Sequence, residues 1–384
     1  MSADVYERIL LSLGEEEPSQ GAVVPPVFHS VNYAGHSVEA LARKLANEFD
    51  EPLYTRGNNP TVALLRKKMA ALEGAEDSLF FASGSAAMAA TVLSYVKAGD
   101  HILCVQEAYT WTTRLVRDFL PNLGVEFTFS PGYPTENFLA SLRPNTRLVI
   151  LETPTSLFFR VQDVEAICGR CKEREIPVVV DNSYCTPMAQ KPLLWGADAV
   201  VHSATKYING HGDVVAGVVC SSQERIRHIF YGPFMTLGAT LSASDASQIL
   251  RGMRTLPLRF QRSCQTALYI MEKVRNHPAV TKIWHPWYAS DEEKALARKQ
   301  MRLPGGMFTL EFRCKYRESL EKALSHLRFF KLAVSWGGYE SLALPFAAFP
   351  PRNQLPWNMA RFYCGLDDPD DLLHDILNVL ENIE

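Results

Sequence analysis

From Thr61 to Cys220 the chain alternates short apolar runs with longer stretches of helical period, and this alternation constrains the fold more than any other feature. Strands that return through crossover helices make such a pattern. Apolar runs at 78–82, 101–105, 125–129, 147–151, 177–180, 198–201 and 215–220 give seven expected strands. Their apolar residues are consecutive rather than alternating, so helices are expected on both faces of the sheet. Crossover helices are expected at 85–97 and 161–175; in the second, Val164, Ile167, Cys168 and Cys171 recur on one side. Beyond residue 240 the pattern changes to a long helical stretch over 243–276, an extended run at 307–312 and a closing helix over 368–383. The charged stretch 291–302 reads as a solvated helix face. The expected fold is therefore α/β, a large mostly parallel seven-stranded sheet domain with a smaller C-terminal α+β domain, which suits 384 residues better than one compact unit.

A net charge of -3 argues against a nucleic-acid surface, which needs a clustered basic excess. No apolar run approaches the roughly 18 residues of a membrane-spanning helix. The acidic start, with Asp4, Glu7 and Glu15 to Glu17, has the wrong charge for a leader, so a cytoplasmic protein without membrane association is expected. Eight scattered cysteines are too sparse for a disulfide framework. The Cys168/Cys171 pair has no second pair with which to hold zinc, and no metal is expected.

The chemistry concentrates after the strands. In Val200-Val201-His202-Ser203-Ala204-Thr205-Lys206-Tyr207, two hydroxyls and an amine follow an apolar run, where α/β folds collect their ligands. A lysine there can form a Schiff base if its surroundings favour the free amine, and Ser203 and Thr205 can donate to a phosphate. Alone, such a lysine is more often a solvated charge. Asp181, ending the run at 177–180, can supply the acid partner that a pyridoxal ring nitrogen needs, although a turn or helix cap would explain it as well. In Phe80-Phe81-Ala82-Ser83-Gly84-Ser85, a strand meets a helix through a small-residue turn, a ready anion site. No dinucleotide fingerprint, P-loop or zinc-protease motif is present.

In order and spacing these segments resemble the transsulfuration, or Cys/Met-metabolism, family of pyridoxal phosphate enzymes. The resemblance spans almost the whole chain: Gly21-Ala22-Val23-Val24-Pro25-Pro26, Tyr54-Thr55-Arg56, Asn59-Pro60-Thr61, Leu72-Glu73-Gly74-Ala75, Ser83-Gly84, Asp181-Asn182, Ser203-Ala204-Thr205-Lys206-Tyr207, Gly210-His211-Gly212-Asp213, Ser335-Trp336-Gly337-Gly338, and Arg361 with Gly365-Leu366-Asp367-Asp368. It implies a fold-type I pyridoxal phosphate enzyme in which Lys206 is the Schiff-base lysine and Asp181 the ring-nitrogen partner. Gly84, Ser85, Ser203 and Thr205 would cradle the phosphate, and Tyr109 would stack on the ring and assist proton movement. Tyr54 and Arg56 match residues that the family sends to a neighbouring subunit's phosphate, with Tyr54 also near substrate. Arg361 matches the substrate-carboxylate anchor, with Ser335 and Trp336 beside it. The implied organisation is an N-terminal arm at 1–55, a cofactor domain at 56–240 and a small domain at 241–384. The implied assembly is a homodimer as minimal active unit, built into a homotetramer.

Two departures point to a branch. Ser156, in Glu152-Thr153-Pro154-Thr155-Ser156-Leu157, replaces an asparagine that usually touches the ring hydroxyl, and Trp336 replaces a common leucine. Both resemble bacterial cystathionine β-lyases, which implies β-elimination of L-cystathionine to homocysteine, pyruvate and ammonia. The alternative is γ-elimination or γ-replacement, as in cystathionine γ-synthase, cystathionine γ-lyase or methionine γ-lyase. A catalytically silent binding protein on this fold is the alternative from another class.

Overall fold

The computed structural model describes residues 3–16, 21–350 and 354–384; parts of the expected N-terminal arm, 1–2 and 17–20, lie outside the described residues. Seven strands form the large sheet: β1 (Asp77–Phe81), β2 (His101–Val105), β3 (Glu126–Ser130), β4 (Thr146–Glu152), β5 (Val178–Asp181), β6 (Ala199–His202) and β7 (Gly217–Ser221). Their order is β1-β7-β6-β5-β4-β2-β3. The run from β6 to β3 is parallel, and β7 lies antiparallel between β6 and β1. Consecutive apolar residues do cover both faces: Ile102 and Cys104 pack into one core, while Leu103 and Val105 pack into another across the sheet. The Gly84–Leu93 helix covers the first face through Ala87, Met88, Ala90 and Val92. The Val164–Lys172 helix covers the second through the four residues expected from its spacing.

The smaller sheet contains β8 (Val280–Trp284), β9 (Met307–Phe312), β10 (Lys331–Leu332), β11 (Leu342–Pro345) and β12 (Met359–Tyr363), in the order β10-β11-β12-β9-β8. Alternation divides its two faces. Phe308, Leu310, Ala360 and Phe362 pack beneath the Leu256–Val274 and Pro369–Glu381 helices. Met307 and Tyr363 point the other way, into the core shared with the large sheet. Arg361, between Ala360 and Phe362, is thereby turned towards the large sheet.

The expected single helix over 243–276 is two, Ala243–Arg254 and Leu256–Val274, separated at Thr255, whose φ of -105° and ψ of 3° leave the helical path. Pro257 explains the break, because a proline lacks the amide a continuing helix needs but suits a new first turn. All eight cysteines are unpaired and only Cys314 is not buried. Among the described residues no helix is long and apolar enough to cross a membrane.

Candidate active site

The carboxyl ends of the neighbouring parallel strands β4, β5 and β6 lie side by side at one end of the sheet. Lys206 lies four residues beyond β6, in a turn closed by its own amide donating to the Ser203 carbonyl. Its Nζ donates to Ser335 Oγ at 2.5 Å and stands 5.4 Å from the Trp336 ring centre. Burial, reinforced by the Arg361 charge, pushes the Lys206 ammonium down to about 8 against the pull of Asp181 and Glu340. An amine so placed is a nucleophile and base near neutral pH.

Asp181 ends β5, on the side of the strand that carries Val179 into the helix-covered core. Its Oδ1 accepts from the Ser183 amide at 2.9 Å and the Ser183 hydroxyl at 2.6 Å. Burial raises its carboxyl, while Ser183 and the charges of His202 and Lys206 hold it down. Directly across the ladder its register partner is Glu152, the last residue of β4. Neither Glu152 nor Ser183 was singled out from the sequence. The available signal was an acidic residue at the end of an apolar run, one strand away from Asp181.

At the start of the Gly84–Leu93 helix, Ser83 caps by accepting the Ala86 amide at 3.1 Å, which leaves the first amides, of Gly84 and Ser85, without helical partners. A Cβ on Gly84 would lie 2.9 Å from Ser203 Cβ, so glycine is what lets this helix end meet the turn that carries Lys206. One of the expected phosphate-donating hydroxyls, that of Thr205, has an internal partner, and so does the backbone amide of Ser203. The Ser203 amide donates to Ser183 Oγ at 2.7 Å, and the Thr205 hydroxyl donates to the Ala216 carbonyl while accepting the Ala216 amide.

Arg361 crosses from the smaller sheet. Its two terminal nitrogens donate to the carbonyls of Ser156, at 3.0 Å, and Ser335, at 3.1 Å. Among the described residues it has no ion-pair partner, and burial lowers its guanidinium to about 10. Ser335 thus meets Lys206 through its hydroxyl and Arg361 through its carbonyl, from a left-handed φ of 80°. For a residue with a side chain that conformation costs roughly 1–3 kcal/mol and persists only where the surroundings enforce it. Trp336 is buried against Tyr207 and Tyr184, so its link to the site runs through Lys206. Tyr109 is half exposed; burial and the nearby Asp181 and Glu152 carboxylates raise its phenol, with Arg361 opposing. Tyr54 and Arg56 stand apart, with the guanidinium 5.6 Å from the tyrosine ring and both side chains exposed.

These residues fit pyridoxal phosphate: an amine poised for covalent attachment, an aspartate for the ring nitrogen, a helix start for the phosphate and an unpaired guanidinium for a substrate carboxylate. The profile of the family described as Cys/Met metabolism PLP-dependent enzyme matches residues 8–381. The chain belongs to that family. Its relatives include an L-methionine gamma-lyase of Porphyromonas gingivalis, 35% identical over 96% of this chain and 95% of the relative. A cystathionine gamma synthase structure from Xanthomonas oryzae superposes with TM-score 0.91 at 29% identity, covering 98% of both chains. A cystathionine gamma-lyase structure from Lactobacillus plantarum gives TM-score 0.89 at 30% identity, covering 98% of this chain and 99% of that one. The expected fold type, the cofactor and the assignment to a pyridoxal phosphate-dependent lyase family of Cys/Met metabolism all stand, and the silent binding protein falls away.

Proposed function

We propose that the protein catalyses γ-elimination at a sulfur-containing amino acid, with L-methionine as the leading substrate, in place of the β-elimination of L-cystathionine suggested by Trp336 and Ser156. The carrying observation is the likeness over 96% of the chain to an enzyme named for methionine γ-elimination. A γ-synthase and a γ-lyase among the solved structures support it.

Bound at this site, pyridoxal phosphate supplies an electron sink for charge developing on the amino acid. Arg361 takes the substrate α-carboxylate and turns its Cα–H bond towards Lys206. Lys206 would take the proton from Cα and, for γ-chemistry, take a second from Cβ after passing the first on to the cofactor-bound substrate. An amine near neutrality that is tethered through the Ser335 hydroxyl suits both transfers. Tyr109 would stand beside the cofactor ring, and its phenol, kept protonated by burial and the Asp181 and Glu152 carboxylates, would pass a proton to the departing sulfur. Gly84, Ser85, Ser203 and Thr205 belong to the phosphate end of this reading, with Ser203 and Thr205 shaping the turn. Tyr54 and Arg56 complete the site of a neighbouring subunit in a homodimer that pairs into a homotetramer. The division at 1–55, 56–240 and 241–384 follows from that assignment. A cytoplasmic setting suits a chain whose cysteines are unpaired and mostly buried.

Product analysis tests the reaction type. With L-methionine the expected products are methanethiol, 2-oxobutanoate and ammonia. With L-cystathionine, 2-oxobutanoate and cysteine confirm γ-elimination, whereas pyruvate and homocysteine restore the β-lyase reading.

A further inference from the structure

Glu152 and Asp181 are the terminal residues of neighbouring parallel strands and stand in direct register. Glu152 follows Leu148 and Ile150 on its strand, as Asp181 follows Val179, so both carboxyls project from the face covered by the Gly84–Leu93 helix. Adjacent strands run about 4.8 Å apart, which sets the two carboxyls side by side. Glu152 is only 6% exposed. Its Oε2 accepts the Tyr109 amide, and the amide and hydroxyl of Ser156 lie against the same carboxyl. The Ser156 carbonyl in turn accepts from Arg361 Nη1 at 3.0 Å.

We propose that Glu152 is a positioning residue: its carboxyl joins the Tyr109 segment to the Ser156 turn and so sets the ring-facing tyrosine and the Arg361 guanidinium in one frame. Its protonation state follows from its neighbours. Two adjacent buried carboxyls do not both ionise readily, and the proton favours the one with less positive charge beside it. Asp181 has both Ser183 donors and the Lys206 charge to favour its ionised form. Glu152 has burial and the Asp181 charge against its own, which push it up to about 8 despite the Tyr109 and Ser156 contacts. The neutral form is thus favoured at Glu152, whose Oε2 accepts the Tyr109 amide while the Ser156 amide and hydroxyl lie against the same carboxyl. The role is independent of whether elimination is β or γ.

Three variants test it, each read by the dissociation constant of pyridoxal phosphate from the refolded apoenzyme, by near-ultraviolet circular dichroism of the bound cofactor, and by kcat and KM separately. Glu152→Gln keeps the length, the accepting oxygen and a donor, and is expected to be the mildest. Glu152→Asp keeps the acid but withdraws it by one methylene, and is expected to weaken cofactor binding by more than about tenfold and to raise KM more than it lowers kcat. Glu152→Ala is expected to be at least as impaired as Glu152→Asp; should it fail to fold, the order of the other two decides. Glu152→Asp matching or outperforming Glu152→Gln would overturn the proposal, because negative charge would then be what the site requires. Parental cofactor binding and KM in all three variants would also overturn it, and would do so whatever products the parent enzyme makes.

Discussion

Arg361 is a buried cation whose terminal nitrogens are held by backbone carbonyls and not by a carboxylate. Those carbonyls orient the guanidinium but leave its charge for a ligand. Arg361→Ala should therefore raise KM for every amino-acid substrate roughly ten- to hundredfold while leaving cofactor affinity close to parental, since a charged hydrogen-bonded contact is worth about 1.5–3 kcal/mol. Arg361→Lys should recover only part of the loss, because an ammonium cannot reproduce the fork. Steady-state kinetics beside cofactor titration check this, and equal KM in the alanine variant would place the anchor elsewhere. At this scale the sequence pointed to residues that do come near one another, since Lys206 feels the charges of both Asp181 and Arg361. It was less legible where a side chain serves the protein itself. Thr205 reads as a phosphate donor, yet its hydroxyl closes a turn onto Ala216, and Trp336 reads as a substrate contact, yet its indole is buried under Lys206. The second outcome depends on a neighbour more than a hundred residues away, as the contact of Lys206 with Ser335 also does, and no local pattern records that.

Among the elements, the Gly84–Leu93 helix does most to position the site, because its free amides are brought against the turn that carries Lys206. The approach depends on Gly84, whose missing Cβ leaves room for Ser203, and Ser203 is itself pinned through its amide to Ser183. Gly84→Ala adds a methyl group that one side or the other must accommodate, while at a first-turn helix position alanine itself is well tolerated. The expected result is a loss of cofactor affinity of about tenfold or more with a much smaller change in apoenzyme melting temperature, since the displaced contact lies at the cofactor and outside the main core. Unchanged affinity would remove this helix end from the cofactor site. The seven strands of the large sheet were legible within a residue or two, six of them because a strand buried on both faces leaves a continuous apolar run, while β3 at the edge is only half-buried. The long helix expected over 243–276 was not, since its apolar period continues across Thr255 and only Pro257 marks the break. Glu152 illustrates the remaining difficulty: its position on β4 was visible one residue past an apolar run, but its pairing with Asp181 depends on the order and register of the sheet.

At the scale of the whole molecule, the N-terminal segment carries the features on which the proposed dimer rests. The Val38–Ala46 helix buries none of its residues and exposes Val38, Leu41 and Leu45, while Tyr54 and Arg56 stack on each other away from the Lys206 cluster. An apolar helix face and an unpaired guanidinium left outward are what a neighbouring subunit would cover and use. If Arg56 of the partner subunit completes each phosphate site, two inactive variants should complement. Arg56→Ala subunits keep Lys206 but cannot supply Arg56, and Lys206→Ala subunits have the reverse defect. In a two-fold dimer of one of each, one site pairs an intact Lys206 with an intact Arg56 and the other lacks both. Equal amounts of the two variants, exchanged at random, place half of all dimers in this hybrid form, so about a quarter of all sites should be complete. The measurement is activity of the mixture before and after exchange, with differently tagged subunits to establish that hybrids have formed and with Arg56→Ala alone first shown to be severely impaired. Recovery towards a quarter of parental activity is the expected outcome. Hybrids that form yet never exceed the summed activity of the separate variants would mean that Arg56 serves its own subunit, and that the exposed N-terminal segment makes its contacts without entering a neighbour's site.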